Sequence, residues 1–257
     1  MENMQTFDAV VLGGGDGTML DPAQPVKGLV EIAGKPMIQW VIDALRKANS
    51  INRIVAVVPT SAIDQVKASD ITVVAGDGTL PENCEQGFLA LDGKRPILWA
   101  TADIPALTPE AVDDYLGRVV QRRAELSYSL IQERDVETQF PGSIRTYIKL
   151  REGRATGGNL ITTTVAVAHK IEPLMSDFYN ARKDPKKVVS LVGPQIATKY
   201  ALGWLSVPDV EARVKSMLDI RGAGIFTTYA EIGVDVDKVA DMKPVENVLR
   251  QRMDPSS

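Results

Sequence analysis

The sequence predicts an α/β fold: a doubly wound, mostly parallel sheet of the Rossmann-like type, with a helical embellishment in the C-terminal half. Two observations carry this. Apolar, β-branched runs bounded by turn residues recur at 9–13 (AVVLG), 53–58 (RIVAVV), 71–75 (ITVVA) and 96–100 (PILWA). Segments of helical periodicity separate them at 36–48, 61–68 and 82–91, and another follows at 109–124. Strands that lack polar alternation are buried on both faces. Alternating with helices, they specify parallel pairing through right-handed crossovers. The 257 residues, 44% of them hydrophobic, are enough to bury a full core, and one domain spanning 1–257 is the expectation.

In chain order, residues before Ala9 read as a tail feeding the first strand. Thr108-Pro109 starts the fourth helix with an N-cap and a proline at the first helical position. The residues just before it therefore leave a strand's carboxyl end, where sheets of this kind bind ligands. Later elements are less regular: a strand over 127–132, a polar stretch to Gly142, extended segments around RTYIKL (145–150) and GGNLITTTVAV (157–167), and a helical pattern over 169–218 broken by Pro173, Pro185, Pro194 and Pro208. The segment AEIGVDVDKVADM (230–242) returns to the core, and a closing helix and frayed tail complete 236–257.

Composition excludes several functions. A net charge of -4 offers no global field for a nucleic-acid backbone, so any phosphate must be held locally. Cys84 is the only cysteine and His169 the only histidine, which excludes a disulfide framework or a Cys/His zinc site. Cys84 reads as a small helix residue and His169 as structural. No apolar stretch reaches membrane-spanning length and no leader is evident, so the expected setting is cytoplasmic, away from membranes.

The loop Leu12-Gly13-Gly14-Gly15-Asp16-Gly17-Thr18 sits at the first strand-to-helix junction, where glycines let backbone amides approach phosphate oxygens. It matches neither the dinucleotide fingerprint nor a P-loop, since Thr18 or Leu20 takes the third glycine's place and no Gly-Lys-Ser/Thr closes it. It continues into Pro25-Val26-Lys27 and then Ile32-Ala33-Gly34-Lys35-Pro36-Met37-Ile38. In that order and spacing the three pieces resemble the opening of the MobA-like NTP transferases, the group of molybdenum-cofactor guanylyltransferase, methylerythritol-phosphate cytidylyltransferase and sugar-phosphate nucleotidylyltransferases. The likeness is strong over the first 110 residues and looser at GVDVD.

The resemblance implies the nucleotide-diphospho-sugar transferase type of fold, with a nucleotide-binding half at 1–125 and an acceptor-side half at 126–235. It implies that Leu12, Gly14, Gly15, Gly17 and Thr18 line the nucleotide, with Gly78 and Asn83, and more weakly Asp77 and Thr79, near the base. Lys27 becomes the phosphate lysine. Asp103, in the run Thr101-Ala102-Asp103-Ile104-Pro105, becomes the Mg²⁺ aspartate, with Asp235 as second ligand and Asp237 as a further ligand or a helix cap. Where many members carry an arginine after the Gly-Thr pair, this chain has Met19, which hands that role to another cation such as Arg145 or Lys149. Arg145, Lys149 and Asn159 are the acceptor candidates. The implied reaction moves a nucleoside monophosphate from an NTP, GTP or CTP, to a small phosphorylated acceptor and releases pyrophosphate. Competing readings are a nucleotide-binding protein without catalysis, which Met19 favours, and a glycosyltransferase using an NDP-sugar, which the lack of Asp-x-Asp at the strand end disfavours. A homodimer is a common outcome for such folds.

Overall fold

The computed structural model describes residues 5–66, 68–171 and 193–253. Its centre is an eight-stranded sheet. Along it run β10 (Gly222–Thr227), β7 (Leu126–Gln132), β9 (Gly153–Thr163), β6 (Ile97–Thr101), β1 (Phe7–Leu12), β4 (Ile51–Val58) and β5 (Thr72–Ala75), with β8 (Ile148–Leu150) paired to β9. All neighbours pair in parallel except β9, which is antiparallel to β6, β7 and β8. The short strands β2 (Glu31–Ile32) and β3 (Lys35–Pro36) form a separate hairpin.

Alternation along β1 divides the core. Ala9 and Val11 face one layer, where α1 (Met37–Lys47) supplies Ile38, Val41, Ile42 and Leu45, and α4 (Pro109–Gln121) supplies Val112 and Tyr115. Val10 faces the other layer with Val55, Val57 and Ile97, against Phe88 of α3 (Leu80–Leu89). Each of the β1 residues 9–11 is 0% exposed, so a polar substitution there meets apolar atoms on either side.

Strand register, more than layering, sets which loops meet. Leu12 pairs with Thr101, and the Ala102 amide donates to the Leu12 carbonyl at 3.0 Å. The glycine loop and the Thr101-Ala102-Asp103 run therefore leave the sheet side by side at its carboxyl end. Thr108 starts α4 as expected: its Oγ1 accepts from the Ala111 amide and donates to Glu231 Oε1 at 2.8 Å. Thr108→Ala removes a cap and leaves a buried carboxylate short of a donor. It is expected to cost about 2 kcal/mol in urea denaturation.

Several later elements differ from expectation. The polar stretch after β7 contains α5 (Glu133–Gln139), whose side chains lend it no apolar stripe beyond buried Val136. Extended structure ends at Thr163, not Val167, because Thr164 Oγ1 caps the next helical turns by accepting from the Val167 amide. Residues 165–171 are helical. Within the 169–218 region, α6 (Pro194–Ala201) and α7 (Val207–Leu218) bear out a helical character, while 172–192 lies outside the described residues. The strand β10 has no counterpart among the elements expected from sequence. Its Gly222 and Gly224 look like turn residues, yet they are what lets α7 lie on it: a Cβ at either would come within 2.7 Å of Val214 or Val207. The chain closes with α8 (Val239–Met253), whose Val245 and Leu249 are buried.

Candidate active site

The glycine loop is held by its own backbone. The Gly13 amide donates to Val57 O and the Gly17 amide to Pro25 O, while Asp16 bridges to Val26. Gly15 takes a φ of +98°, and a Cβ on Gly17 would stand 2.4 Å from the Gln24 carbonyl, so both positions require glycine. Gly14 is open: a Cβ there would meet nothing nearer than Asn83 at 3.9 Å. Thr18 is turned inward on the loop, its amide and hydroxyl both donating to Asp16 Oδ1. Met19 is 73% exposed.

The Lys27 amide donates to Gly15 O, which fixes the lysine under the loop. Its ammonium lies 2.5 Å from Asp103 Oδ2 and also pairs with Asp237. Burial alone would lower the Lys27 pKa, but the two facing carboxylates more than reverse this and hold it above its ordinary value. The lysine is charged at neutral pH.

Asp235 and Asp237 reach the same place from the other end of the chain. Residues 234–237 belong to no strand or helix; Val234 and Val236 are buried, while Asp235 is half-buried and Asp237 exposed. The Val236 amide donates to the Asp103 carbonyl at 2.9 Å, which locks the two segments together. Asp103, Asp235 and Asp237 thus each offer an oxygen within 4.8 Å of the others. Asp103 Oδ1 is buried with no hydrogen-bond partner among the described residues. Hard oxygen donors in this number, one of them lacking a donor, fit Mg²⁺. Asp241, in the first turn of α8, accepts from the amides of Asp237 and Lys238, so the entry to the helix is tied by Asp241 rather than by Asp237.

Arg145 completes the cluster. Its guanidinium, 8% exposed, grips both the carboxylate and the carbonyl oxygen of Asp235 and lies 3.9 Å from Asp241. Burial pushes the Asp235 carboxyl up to about 6, an effect Arg145 opposes and the Asp103 and Asp237 charges reinforce. Three carboxylates facing two cations leave a net negative site, a setting that favours a further cation.

The other expected residues divide. Asn83 braces its own loop, accepting from the Gly78 amide and donating to the Gly78 carbonyl; Asp77 holds Thr60, and Thr79 forms a capping box with Glu82. Asn159 donates to the Ile232 carbonyl, three residues before Asp235. Lys149 is not gathered with the carboxylates but lies along the Gly203 turn, on the exposed side of β8. Sequence reasoning missed Tyr128, whose hydroxyl passes so close to Gly157 that a Cβ there would be 2.1 Å away, and whose phenol is held above its usual pKa by burial and by the Asp235 charge. Alternation within SYSLIQ was the available signal. Ser127 and Ser129 are buried on one face, which sends Tyr128 to the other.

Cys84 is buried, with its thiol pushed up to about 12 by desolvation. The native protein is expected to react with a thiol reagent at neutral pH at least about 100-fold more slowly than the urea-unfolded chain. Equal rates would show the helix α3 opening readily.

Similarity to known proteins agrees with this geometry. A hypothetical transferase from Thermus thermophilus of known structure is 36% identical, with a TM-score of 0.79 over 93% of this chain and all of that one. The fold is also that of 4-diphosphocytidyl-2C-methyl-D-erythritol synthase from Anaerococcus prevotii (12% identity, TM-score 0.61, 96% and 100% covered). In sequence, 2-C-methyl-D-erythritol 4-phosphate cytidylyltransferase of Bifidobacterium longum is 32% identical over 123 residues, 45% of this chain and 40% of that relative. The chain therefore matches less than half the length of that curated relative. The model of the MobA-like NTP transferase domain matches residues 9–178. That span holds the glycine loop, Lys27 and Asp103 and exceeds half of the chain, which belongs to the MobA-like NTP transferase family.

Proposed function

We propose that this chain is a Mg²⁺-dependent nucleotidyltransferase that moves a nucleoside monophosphate from an NTP to a small phosphorylated acceptor. The observation that carries the reading is the buried Asp103 oxygen without a partner, set among three carboxylates beside a glycine loop and a charged lysine. Relatives named as cytidylyltransferases favour CTP over GTP as the donor.

An acceptor phosphate oxygen attacks the α-phosphorus; the new oxygen–phosphorus bond forms as the bond to the β-phosphate oxygen breaks, and pyrophosphate leaves. The attacking group is already an anion, so no general base is required. The loop amides of Gly14 and Gly15 approach the triphosphate. Lys27, packed under that loop, offsets the charge that builds on the reacting phosphate. Asp103, Asp235 and Asp237 would hold Mg²⁺, which when bound supplies charge neutralisation for the triphosphate. Arg145 keeps Asp235 ionised and aimed.

The test is pyrophosphate release across the four NTPs, with Mg²⁺ or EDTA and a panel of phosphorylated acceptors. Release that needs one NTP, one acceptor and the metal supports the reading. Tight Mg²⁺-dependent NTP binding with no release across the panel would favour a nucleotide-binding protein, the alternative that exposed Met19 points to.

A further inference from the structure

We propose that the acceptor has an apolar body, a phosphorylated hydrocarbon alcohol rather than a phosphorylated sugar or polyol, and that it lies in a cleft beside the carboxylate cluster. This rests on the nucleotidyltransferase reading and names the substrate class of the same site.

The cleft encloses about 430 Å³ between α3, the strands β6, β9 and β7, and the helical residues 165–171. Volumes of this order take a small organic ligand. Its walls are Phe88, Trp99, Leu126, Ile161, Ala168 and Ile171, and among the described residues no lysine or arginine lines it. Its polar lining is Glu85, Thr101, Tyr128, Asn159, Thr163 and His169, and three of these lead toward the carboxylates. Thr101, the last residue of β6 and two residues before Asp103, has a buried hydroxyl with no partner among the described residues. Asn159 is tied to Ile232 just before the Asp235 segment, and the Tyr128 phenol feels the Asp235 charge. Of the others, the Thr163 hydroxyl accepts from the Trp99 indole at 2.9 Å and the His169 ring packs edge-on against Phe88.

A sugar or polyol seated there would lose its water without gaining partners over most of its surface, whereas a hydrocarbon gains from the same burial. The rim repeats the pattern. Leu80 and Leu89 are 45% and 65% exposed, and both line the cleft. Leu126 and Tyr128 also line a second apolar cavity of about 280 Å³, walled by Leu130, Leu150, Leu205 and Val207. Apolar surface thus lies on both sides of Tyr128. Exposed apolar surface continuous with a polar reacting centre is what a ligand with a charged head and an apolar body matches.

The experiment measures binding of n-decyl monophosphate, below its micelle concentration, against glycerol 3-phosphate and inorganic phosphate, by calorimetry with the full chain. Mg²⁺-dependent CTP and GTP binding is measured in the same samples. Decyl phosphate is expected to bind at least about tenfold more tightly than glycerol 3-phosphate. The double variant Leu80→Gln, Leu89→Gln changes exposed positions and should leave the melting temperature in place while removing most of that advantage. Ala168→Trp, which fills the cleft, should remove it too. Equal affinity for the two phosphates overturns the inference, even with NTP binding intact. Loss of NTP binding instead counts against the nucleotidyltransferase reading. Sedimentation of wild type and double variant covers the remaining occupant: a dimer that the double variant dissociates would make this cleft a self-interface and overturn the proposal.

Discussion

Asp103→Asn is expected to lower pyrophosphate release by roughly 10²–10³-fold, the magnitude typical of losing one charge-stabilising group at a reacting centre. Asparagine keeps the shape of the side chain, so the fold should not register the change. What disappears is charge, at a place where it is used twice: Oδ2 accepts from Lys27, and Oδ1 is the buried atom with nothing to accept from. Asp103 leaves β6 only two residues after Thr101 and its carbonyl receives the Val236 amide, so no other carboxylate can move into its position without breaking that tie. Asp237 remains paired with Lys27 in the variant, which should keep the lysine charged and NTP affinity largely intact. Mg²⁺ affinity by calorimetry should fall together with release, while the melting temperature stays. Activity within tenfold of wild type would remove Asp103 from the metal site.

How readable each segment was in the sequence depends on what holds it in place. The strands β1, β4 and β6 are parallel and largely buried on both faces, so their apolar runs stand out against the intervening helices; β5 shares the apolar run but is a partly exposed edge strand. The family resemblance named Lys27, Asp103 and Asp235 together, and the structure brings their side chains to one place. β9 was hard to place because its antiparallel position between β6 and β7 is set by pairing with strands distant in sequence, and its Gly157 and Gly158 serve to admit Tyr128 and Ser129 rather than to make a turn. β10 failed for the same reason, its glycines making room for α7. In the base loop, polar residues that look available in isolation are engaged by the fold: Asp77 by Thr60 on a neighbouring segment, Thr79 and Asn83 within their own turn. The pairing of Arg145 with Asp235 lay beyond sequence reading, because the two stand 90 positions apart.

Arg145→Met is expected to destabilise the protein by about 3 kcal/mol, at the lower end of what breaking a buried ion pair costs, since Asp235 retains some exposure. The loss has two parts. The Asp235 carboxylate, already pushed up to about 6 by burial and by its acidic neighbours, loses the cation that opposes them. The Asp235 carbonyl and Asp241 also lose the guanidinium that joins the 235 segment to the first turn of α8. Arg145→Lys should recover only part of the stability, because one ammonium cannot grip a carboxylate and a carbonyl together as the planar fork does. Kinetics then separate the two roles open to this residue. An arginine that binds the acceptor's phosphate would, when replaced, raise the KM for acceptor with little change in stability or metal affinity. An arginine that positions Asp235 would lower stability and Mg²⁺ affinity and reduce kcat, with the acceptor KM nearly unchanged. With its side chain 8% exposed and its guanidinium donating twice to Asp235 and once to Ser143 Oγ, Arg145 should show the second pattern. A rise in acceptor KM alone, at wild-type stability, would return it to the acceptor site and leave Asp235 held by its own backbone.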